Sequence, residues 1–334
     1  MHQYIDRSSG LVLTEKIFGD PIVRIVYSRW REYAPWVFNL LTSKVSSGLL
    51  GYLQFDFLLS SRLSGSSRFI RSLGIDLSEC VDPSADLDTP RKVFERKIMY
   101  WQCRPMPADT GIVVSPSDSR VLVGSLSDTN ILYIKDKFFS YEELLGKQCD
   151  RWLDSFRDGE FAIFRLTPDK YHYNHCPVSG LVLDIYSIEG THHACNPSAV
   201  VSIATPYSKN RRVITVIDTD VPGGTGVGLV AMIEVVALMI GEIQQAYSTE
   251  FYNDPIDIQP GMFIERGQPK SLFRPGSSTD VLLFQRGRIR FDEDLVRNQC
   301  NSSATSRFSH GFGSPLVETD IAVRASIGAA NPSD

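Results

Sequence analysis

Residues 161–180 read Phe161-Ala162-Ile163-Phe164-Arg165-Leu166-Thr167-Pro168-Asp169-Lys170-Tyr171-His172-Tyr173-Asn174-His175-Cys176-Pro177-Val178-Ser179-Gly180. The first six residues form a short apolar run that stops at Thr-Pro-Asp, which is how a strand closed by a turn reads. The next stretch holds two of the chain's six histidines, three residues apart and flanked by tyrosines. A histidine near a carboxylate can act as a general base near neutral pH. In a strand or loop, positions three apart need not share a face, so the spacing alone does not make a joint site.

Working outward, the same strand-like texture recurs in Gly111-Ile112-Val113-Val114, Val121-Leu122-Val123-Gly124 and Val213-Ile214-Thr215-Val216-Ile217, and again in Val281-Leu282-Leu283-Phe284. Between these, the apolar run from Leu229 to Ile240 follows the glycine-rich Gly223-Gly224-Thr225-Gly226-Val227-Gly228 and predicts one buried helix over 227–247. That glycine run lacks the lysine of a P-loop and the later acidic partner of a dinucleotide fold, so it reads as a tight turn. Upstream, Ile22, Ile25, Val26, Trp30, Tyr33 and Trp36 recur at helical spacing with Arg24, Arg29 and Arg31 between them. They predict helix over about 20–72, packed on the core or lying on a membrane surface. Helices first and strands after predict an α+β fold. The expected divisions are a helical region at 1–105, a strand-rich core at 106–300, and a loose segment at 301–334 with some order near 321–327.

The 334 residues carry a net charge of -5, with 43% hydrophobic and 22% charged residues. That is an ordinary globular composition, and no Lys/Arg run marks a nucleic-acid partner. The six cysteines are scattered, with no CxxC pair. The opening Met1-His2-Gln3-Tyr4 leads into charge rather than an apolar signal region, so a cytoplasmic setting with reduced thiols is expected. No stretch reaches the roughly 18 apolar residues of a membrane-spanning helix. The window at 34–60 is broken by Lys44 and Asp56, so it could only lie on a bilayer surface.

Four places concentrate reactive groups. Ser115-Pro116-Ser117-Asp118-Ser119 is good turn chemistry, and Pro275-Gly276-Ser277-Ser278-Thr279 before an apolar strand is also, taken alone, a turn. The third place is the pair His172 and His175. The fourth is Gly190-Thr191-His192-His193-Ala194-Cys195, which with His172, His175 and Cys176 offers nitrogen and sulfur ligands. The spacing matches no standard zinc pattern, and no metal is expected.

Taken in order, these segments resemble the phosphatidylserine decarboxylase family over most of the chain. Phe69-Ile70-Arg71-Ser72-Leu73-Gly74-Ile75-Asp76-Leu77-Ser78, Phe94-Glu95-Arg96-Lys97 and Arg104-Pro105 are similar to its N-terminal half. Ser115-Pro116-Ser117-Asp118 resembles its Ser-Pro-x-Asp-Gly element, with Ser119 in place of glycine. Phe161, Leu166, Tyr171-His172, His175, Pro177-Val178 and Gly180 follow its two-histidine signature. Asn210-Arg211-Arg212-Val213, Arg266-Gly267, Phe273 and Gly276-Ser277 complete the series.

The resemblance implies self-cleavage between Gly276 and Ser277. Ser277 would attack the carbonyl carbon of Gly276, with His175 as base oriented by Asp118. Elimination would then leave a pyruvoyl group at position 277. That group would form a Schiff base with a substrate amine and let the α-carboxylate leave as CO2. His172 would hold the carboxylate region or reprotonate the α-carbon. His192, His193 and Tyr171 are expected to line the substrate site. The implied substrate is phosphatidylserine, converted to phosphatidylethanolamine, by a homodimer peripheral on the membrane.

Two departures bear on these expectations. The chain holds one residue more than the usual distance from Gly276 to Phe284, read here as an extra residue after the cut, such as a strand bulge; the alternative makes Ser278 the modified residue. His192 and His193 replace apolar residues ahead of Asn196-Pro197, which leaves a free or modified amino acid as a second substrate class. A third reading is an unprocessed relative that binds a ligand or lipid surface, for which Ser119 and the extra residue are the motives.

Overall fold

A computed structural model describes residues 1–17, 20, 66–127, 138–146, 149–202, 205–237, 242–276 and 278–331. Its strands, in chain order, are β1 (Gln3–Asp6), β2 (Val12–Thr14), β3 (Ile112–Val114), β4 (Ser119–Ser125), β5 (Glu160–Leu166), β6 (Tyr173–His175), β7 (Gly180–Ile188) and β8 (Arg212–Asp218). They continue with β9 (Leu229–Val236), β10 (Ile243–Gln245), β11 (Phe263–Ile264), β12 (Pro269–Phe273), β13 (Ser278–Phe284), β14 (Ile289–Phe291), β15 (Thr319–Ile321) and β16 (Ser326–Ala330).

One ten-stranded sheet, ordered β11-β7-β8-β9-β13-β5-β4-β15-β1-β2, forms the middle layer. Alternation along its strands gives it two apolar faces. On one face Phe161 and Ile163 of β5, Val281 and Leu283 of β13, and Ile233 and Val235 of β9 pack against Leu144, Trp152, Phe156, Phe308 and Phe312 from short helices. On the other, Ala162, Phe164, Leu282, Phe284 and Met232 meet Val113, Cys176, Val178, Ile289 and Ile327, which lie in or beside two three-stranded sheets, β10-β12-β6 and β14-β16-β3. Burying one large apolar side chain contributes about 1.5–3 kcal/mol, so this double core dominates stability.

The strand-rich α+β body agrees with expectation; its helical parts do not. Residues 229–236, expected within a buried helix, are the central strand β9, paired with both β8 and β13. Every residue from Val230 to Val236 is buried. A run apolar on both faces suits a central strand and a buried helix equally, and β-branched Val230, Ile233, Val235 and Val236 favour the strand. The chain does not open on helix either. β1 pairs parallel with β15 and antiparallel with β2, so the first residues form the last two strands at one end of the main sheet. Residues 66–105 supply only the short helices Ser67–Leu73, Pro90–Phe94 and Tyr100–Cys103. The predicted helix around Trp30 and Trp36 lies outside the described residues. No helix among the described residues is long and apolar enough to cross a membrane.

The segment after Asn301, expected to be loose, is built into both sheets through β15 and β16. Two of the residues that suggested looseness are caps. Ser306 accepts from the Phe308 amide at the start of helix Arg307–Phe312, and Gly313 ends it at φ 73°. A buried charge cluster fastens the two chain ends. Arg165 of β5 donates to Glu318 and to Glu15, Arg120 pairs with Glu15, and His2 Nε2 lies 2.9 Å from Glu318. His2, Glu15 and Glu318 come close enough together to hold a metal ion. Two arginines already balance those carboxylates, so the group reads as an ionic clamp.

Candidate active site

β6 places the two histidines, and its partner strand leads to the expected cut. β12 runs antiparallel to β6 with Pro269 opposite His175, Ser271 opposite Asn174 and Leu272 opposite Tyr173. The amide of Phe273 then donates to the carbonyl of His172 at 3.0 Å. Three residues later the chain reaches Gly276, at φ 155°, a backbone conformation that glycine adopts readily. Ser277 itself lies outside the described residues. β13 begins at Ser278, whose buried Oγ has no hydrogen-bond partner among the described residues.

The register of β13 corrects one expectation. Ser278 to Phe284 pair residue by residue with β5 and with β9, without a shift on either side. No bulge falls between Ser278 and Phe284, so this strand does not contain the bulge that was expected. A central strand bonded along both edges has no slack for an insertion.

His175 is fully buried. Its Nδ1 donates to the Gly267 carbonyl at 2.8 Å, which leaves Nε2 to accept from the Tyr171 hydroxyl at 2.9 Å. Tyr171 lies 2.7 Å from the Tyr252 hydroxyl, which is in turn held by the backbone of Ile98. Burial pulls the His175 imidazole down to about 3, so it is neutral at physiological pH. His172 is as deeply buried and stacks on Phe94 with ring centroids 3.5 Å apart. Neither of its ring nitrogens makes a hydrogen bond of ordinary geometry among the described residues, although the Lys170 backbone lies close enough to act on the ring. Burial, reinforced by the Arg96 cation, holds it well below the usual histidine range.

Asp118 and His175, expected to act together, make no side-chain hydrogen bond to each other. Burial raises the Asp118 carboxyl, but Arg104 more than offsets this and keeps it below its ordinary value. Arg104 donates to Asp118 at 3.0 Å from Nε and 2.8 Å from Nη2, and the Val323 amide adds a bond of 2.8 Å. Arg104 also grips Glu79. What joins the Asp118 turn to the histidine strand is backbone: the His175 amide donates to the Pro116 carbonyl at 2.7 Å. Asp118 acts on His175 through its charge, favouring the protonated imidazole.

His192 and His193 are buried near the start of β8. The amide and carbonyl of His193 both bond the Asn210 side chain, each at 2.8 Å. Cys195, two residues on, belongs to the core on the helical face of the main sheet. Among the described residues these histidines and cysteines form no group close enough to share a metal ion.

The sequence reading missed a set of buried charges beside the cut. Glu234 of β9 lies opposite Asp280 of β13, on the face covered by β6 and β12. Lys270 Nζ donates to Glu234 at 2.6 Å, and Asn174 and Ser271 bond the same carboxylate. Asp280 sits beside the Ser117 hydroxyl with no hydrogen bond of ordinary geometry to either oxygen. Burial, with the Glu234 charge next to it, pushes Asp280 well above the carboxylate range and favours the neutral acid. A lone Glu inside the apolar run at 229–240 was the available signal.

Comparison with known proteins agrees with the resemblance seen in the motifs. A sequence model described as phosphatidylserine decarboxylase matches residues 91–308. A protein named phosphatidylserine decarboxylase proenzyme from Fusobacterium nucleatum subsp. nucleatum is 26% identical over 309 residues, spanning 91% of this chain and 94% of that one. Proteins of the same name from Clostridium botulinum and Chlamydia trachomatis are 27% and 30% identical. The Chlamydia match spans 88% of this chain and 90% of its relative. With more than half of its length inside the family match, and the histidine strand and expected cut site both within it, the chain belongs to the phosphatidylserine decarboxylase family.

Proposed function

We propose that this chain is a self-processing, pyruvoyl-dependent decarboxylase that cuts between Gly276 and Ser277 and converts phosphatidylserine to phosphatidylethanolamine and CO2. The observation that supports it best is the course of β12, which pairs with β6 at Pro269, bonds His172 at Phe273, and reaches Gly276 three residues later.

Ser277 Oγ attacks the carbonyl carbon of Gly276, and the acyl group moves from nitrogen to oxygen. His175 takes the hydroxyl proton at Nε2, its only basic nitrogen, so the serine hydroxyl must displace Tyr171 from that position. Asp118, kept ionised by Arg104, stabilises the imidazolium that forms. β-Elimination from the ester releases Met1–Gly276 as a carboxylate and leaves dehydroalanine, which hydrolyses with loss of ammonia. The surroundings fit the resulting group: Gly276 offers an unhindered carbonyl, and the unpartnered nitrogens of His172 provide a neutral base or acid nearby. A pyruvoyl group supplies a carbonyl that condenses with the substrate amine and accepts the electrons released when the carboxylate leaves. His172 returns a proton to the α-carbon. The substrate is a membrane lipid, so the enzyme works at a bilayer surface.

The unbroken register of β13 favours one second reading, cleavage between Ser277 and Ser278. Intact mass of the purified protein tests both. Two fragments divided after Gly276, the smaller with a blocked N-terminus, are expected; division after Ser277 supports the second reading, and one uncut chain identical to Ser277→Ala would refute self-processing.

A further inference from the structure

Tyr100 lies between the candidate site and Arg324, which lines a nearby cavity. Its ring packs edge-on against His175, with centroids 4.7 Å apart, and the Arg324 guanidinium lies 5.0 Å from the same ring. Arg324 lines a cavity of about 700 Å³ together with Trp101, Met106, Phe263 and Arg266. Arg324 Nη1 donates to the backbone carbonyls of Tyr100 and Arg104, at 2.9 and 3.0 Å, which fixes the side chain. The remaining edge is unused. Nε is buried without a hydrogen-bond partner among the described residues, and Nη2 makes no hydrogen bond among them. The neighbours acting on its charge are tyrosines and Cys103 rather than carboxylates.

Gly267 packs against Nε and holds the side chain in place. A Cβ there would lie 3.1 Å from Arg324 Nε and 2.4 Å from Met106 Sδ, and φ is 77°. Its carbonyl is the one that orients His175. Arg266 adds a second cation, bonded to the neutral carbonyls of Pro107, Asp109 and Ile112. Exposed Glu265 is the carboxylate among the lining residues. At the opening, Trp101 and Phe263 are 37% and 41% exposed, and Phe251, 46% exposed, packs on Trp101 at 4.2 Å.

Nη2, the terminal nitrogen of Arg324 that bonds nothing among the described residues, can donate to an anionic oxygen in the cavity. Exposed aromatics above such a cation suit the polar-apolar boundary of a lipid. We infer that Arg324 anchors the phosphodiester of the glycerophospholipid substrate, with Trp101 and Phe263 against its glycerol and acyl end; this rests on the decarboxylase reading above. The phosphodiester is the anion assigned because it passes through the reaction unchanged, so a fixed cation binds substrate and transition state alike. The carboxylate must leave as neutral CO2, which a strong charge-assisted bond would oppose.

Arg324→Gln and Arg324→Lys in the full chain test this. With fragments forming normally, Arg324→Gln should raise KM for phosphatidylserine in neutral-lipid vesicles by about tenfold while kcat stays within about threefold, and Lys should fall between. A loss in kcat with KM unchanged overturns the assignment. Binding needs no processing, so calorimetry with glycerophosphoserine is run on the uncut Ser277→Ala/Ser278→Ala chain. The same change should weaken that binding about tenfold, and equal affinity overturns the proposal. Inorganic phosphate binding as tightly as glycerophosphoserine would overturn the headgroup assignment. Trp101→Ala should impair turnover of vesicles but spare glycerophosphoserine binding; equal loss in both removes the aromatic rim from the proposal. If glycerophosphoserine binds through Arg324 yet phosphatidylserine is never decarboxylated, the functional reading fails while the anion site stands.

Discussion

Two buried polar clusters in this molecule are built on opposite principles. In the clamp at the chain ends, Glu15 and Glu318 face Arg165, and Glu15 also faces Arg120. Burial opposes ionisation of both carboxylates, yet the arginines hold them below the usual range. Beside the expected cut, Asp280 faces the carboxylate of Glu234, the ring nitrogens of His172 make no hydrogen bond of ordinary geometry among the described residues, and Ser278 Oγ is unpartnered there. A buried group without its partner costs about 1–3 kcal/mol, so such a place survives only when the fold holds it open. Saturation marks a fastening; deficit marks groups kept in a state ready to exchange protons.

Breaking each cluster should therefore give different failures. The largest effect expected is at His175: His175→Ala leaves one uncut chain on a denaturing gel, and so does Asp118→Asn, because each removes the base or the charge that supports it. Glu318→Gln should still cut. Its expected cost is about 3 kcal/mol of stability, since Arg165 and His2 stay buried with one partner fewer. Urea unfolding in a Ser277→Ala background measures this, and a loss under about 1 kcal/mol would mean that the clamp is not what joins the ends. His172→Ala should cut at close to the normal rate but decarboxylate about a hundredfold more slowly, the size of one general acid-base contribution. An uncut His172→Ala chain would show that both histidines serve cleavage.

The same contrast explains what could be read from sequence. The strands at 112–114, 121–123 and 161–166 were legible because turn residues bracket short apolar runs. β9 was not, because a strand in the middle of three layers is apolar on both faces and loses the alternation that identifies strands. The order after Asn301 was hidden for a different reason: capping residues and loop residues have the same composition, and only the tertiary partners of β15 and β16 distinguish them. At the site, the Tyr171-His172 and His175 motif pointed to the strand, but not to the contacts of its side chains. Arg104 holding Asp118, Tyr171 on His175 Nε2, and the Glu234–Lys270 pair under β6 all join residues far apart in the chain. Such pairings follow from sheet register and not from local spacing. Ser119 in place of glycine, which suggested an unprocessed relative, begins β4 with its hydroxyl on the Ser117 carbonyl, so the turn accommodates it.

The smallest effect expected is a flat line. An exposed histidine acting as base loses activity as pH falls through 6.5, whereas burial has lowered the His175 imidazole to about 3. Cleavage should therefore vary by less than about twofold between roughly pH 8 and pH 5, followed by mass spectrometry of precursor diluted from mildly denaturing conditions. Stability must then carry the pH dependence that cleavage lacks. The unfolded chain protonates His175 near 6.5 while the folded one does not, so the unfolded state binds more protons in the window between 6.5 and about 3. The stability associated with a neutral His175 is complete above that window and is lost as pH falls through it; His172 shifts in the same direction. The melting temperature should thus decline as pH drops below about 6 even while the cleavage rate of the surviving folded fraction holds. A cleavage profile with its midpoint near 6.5 would mean that the base meets solvent before it meets the serine, and the sealed, under-bonded histidine pocket would no longer describe the reactive state.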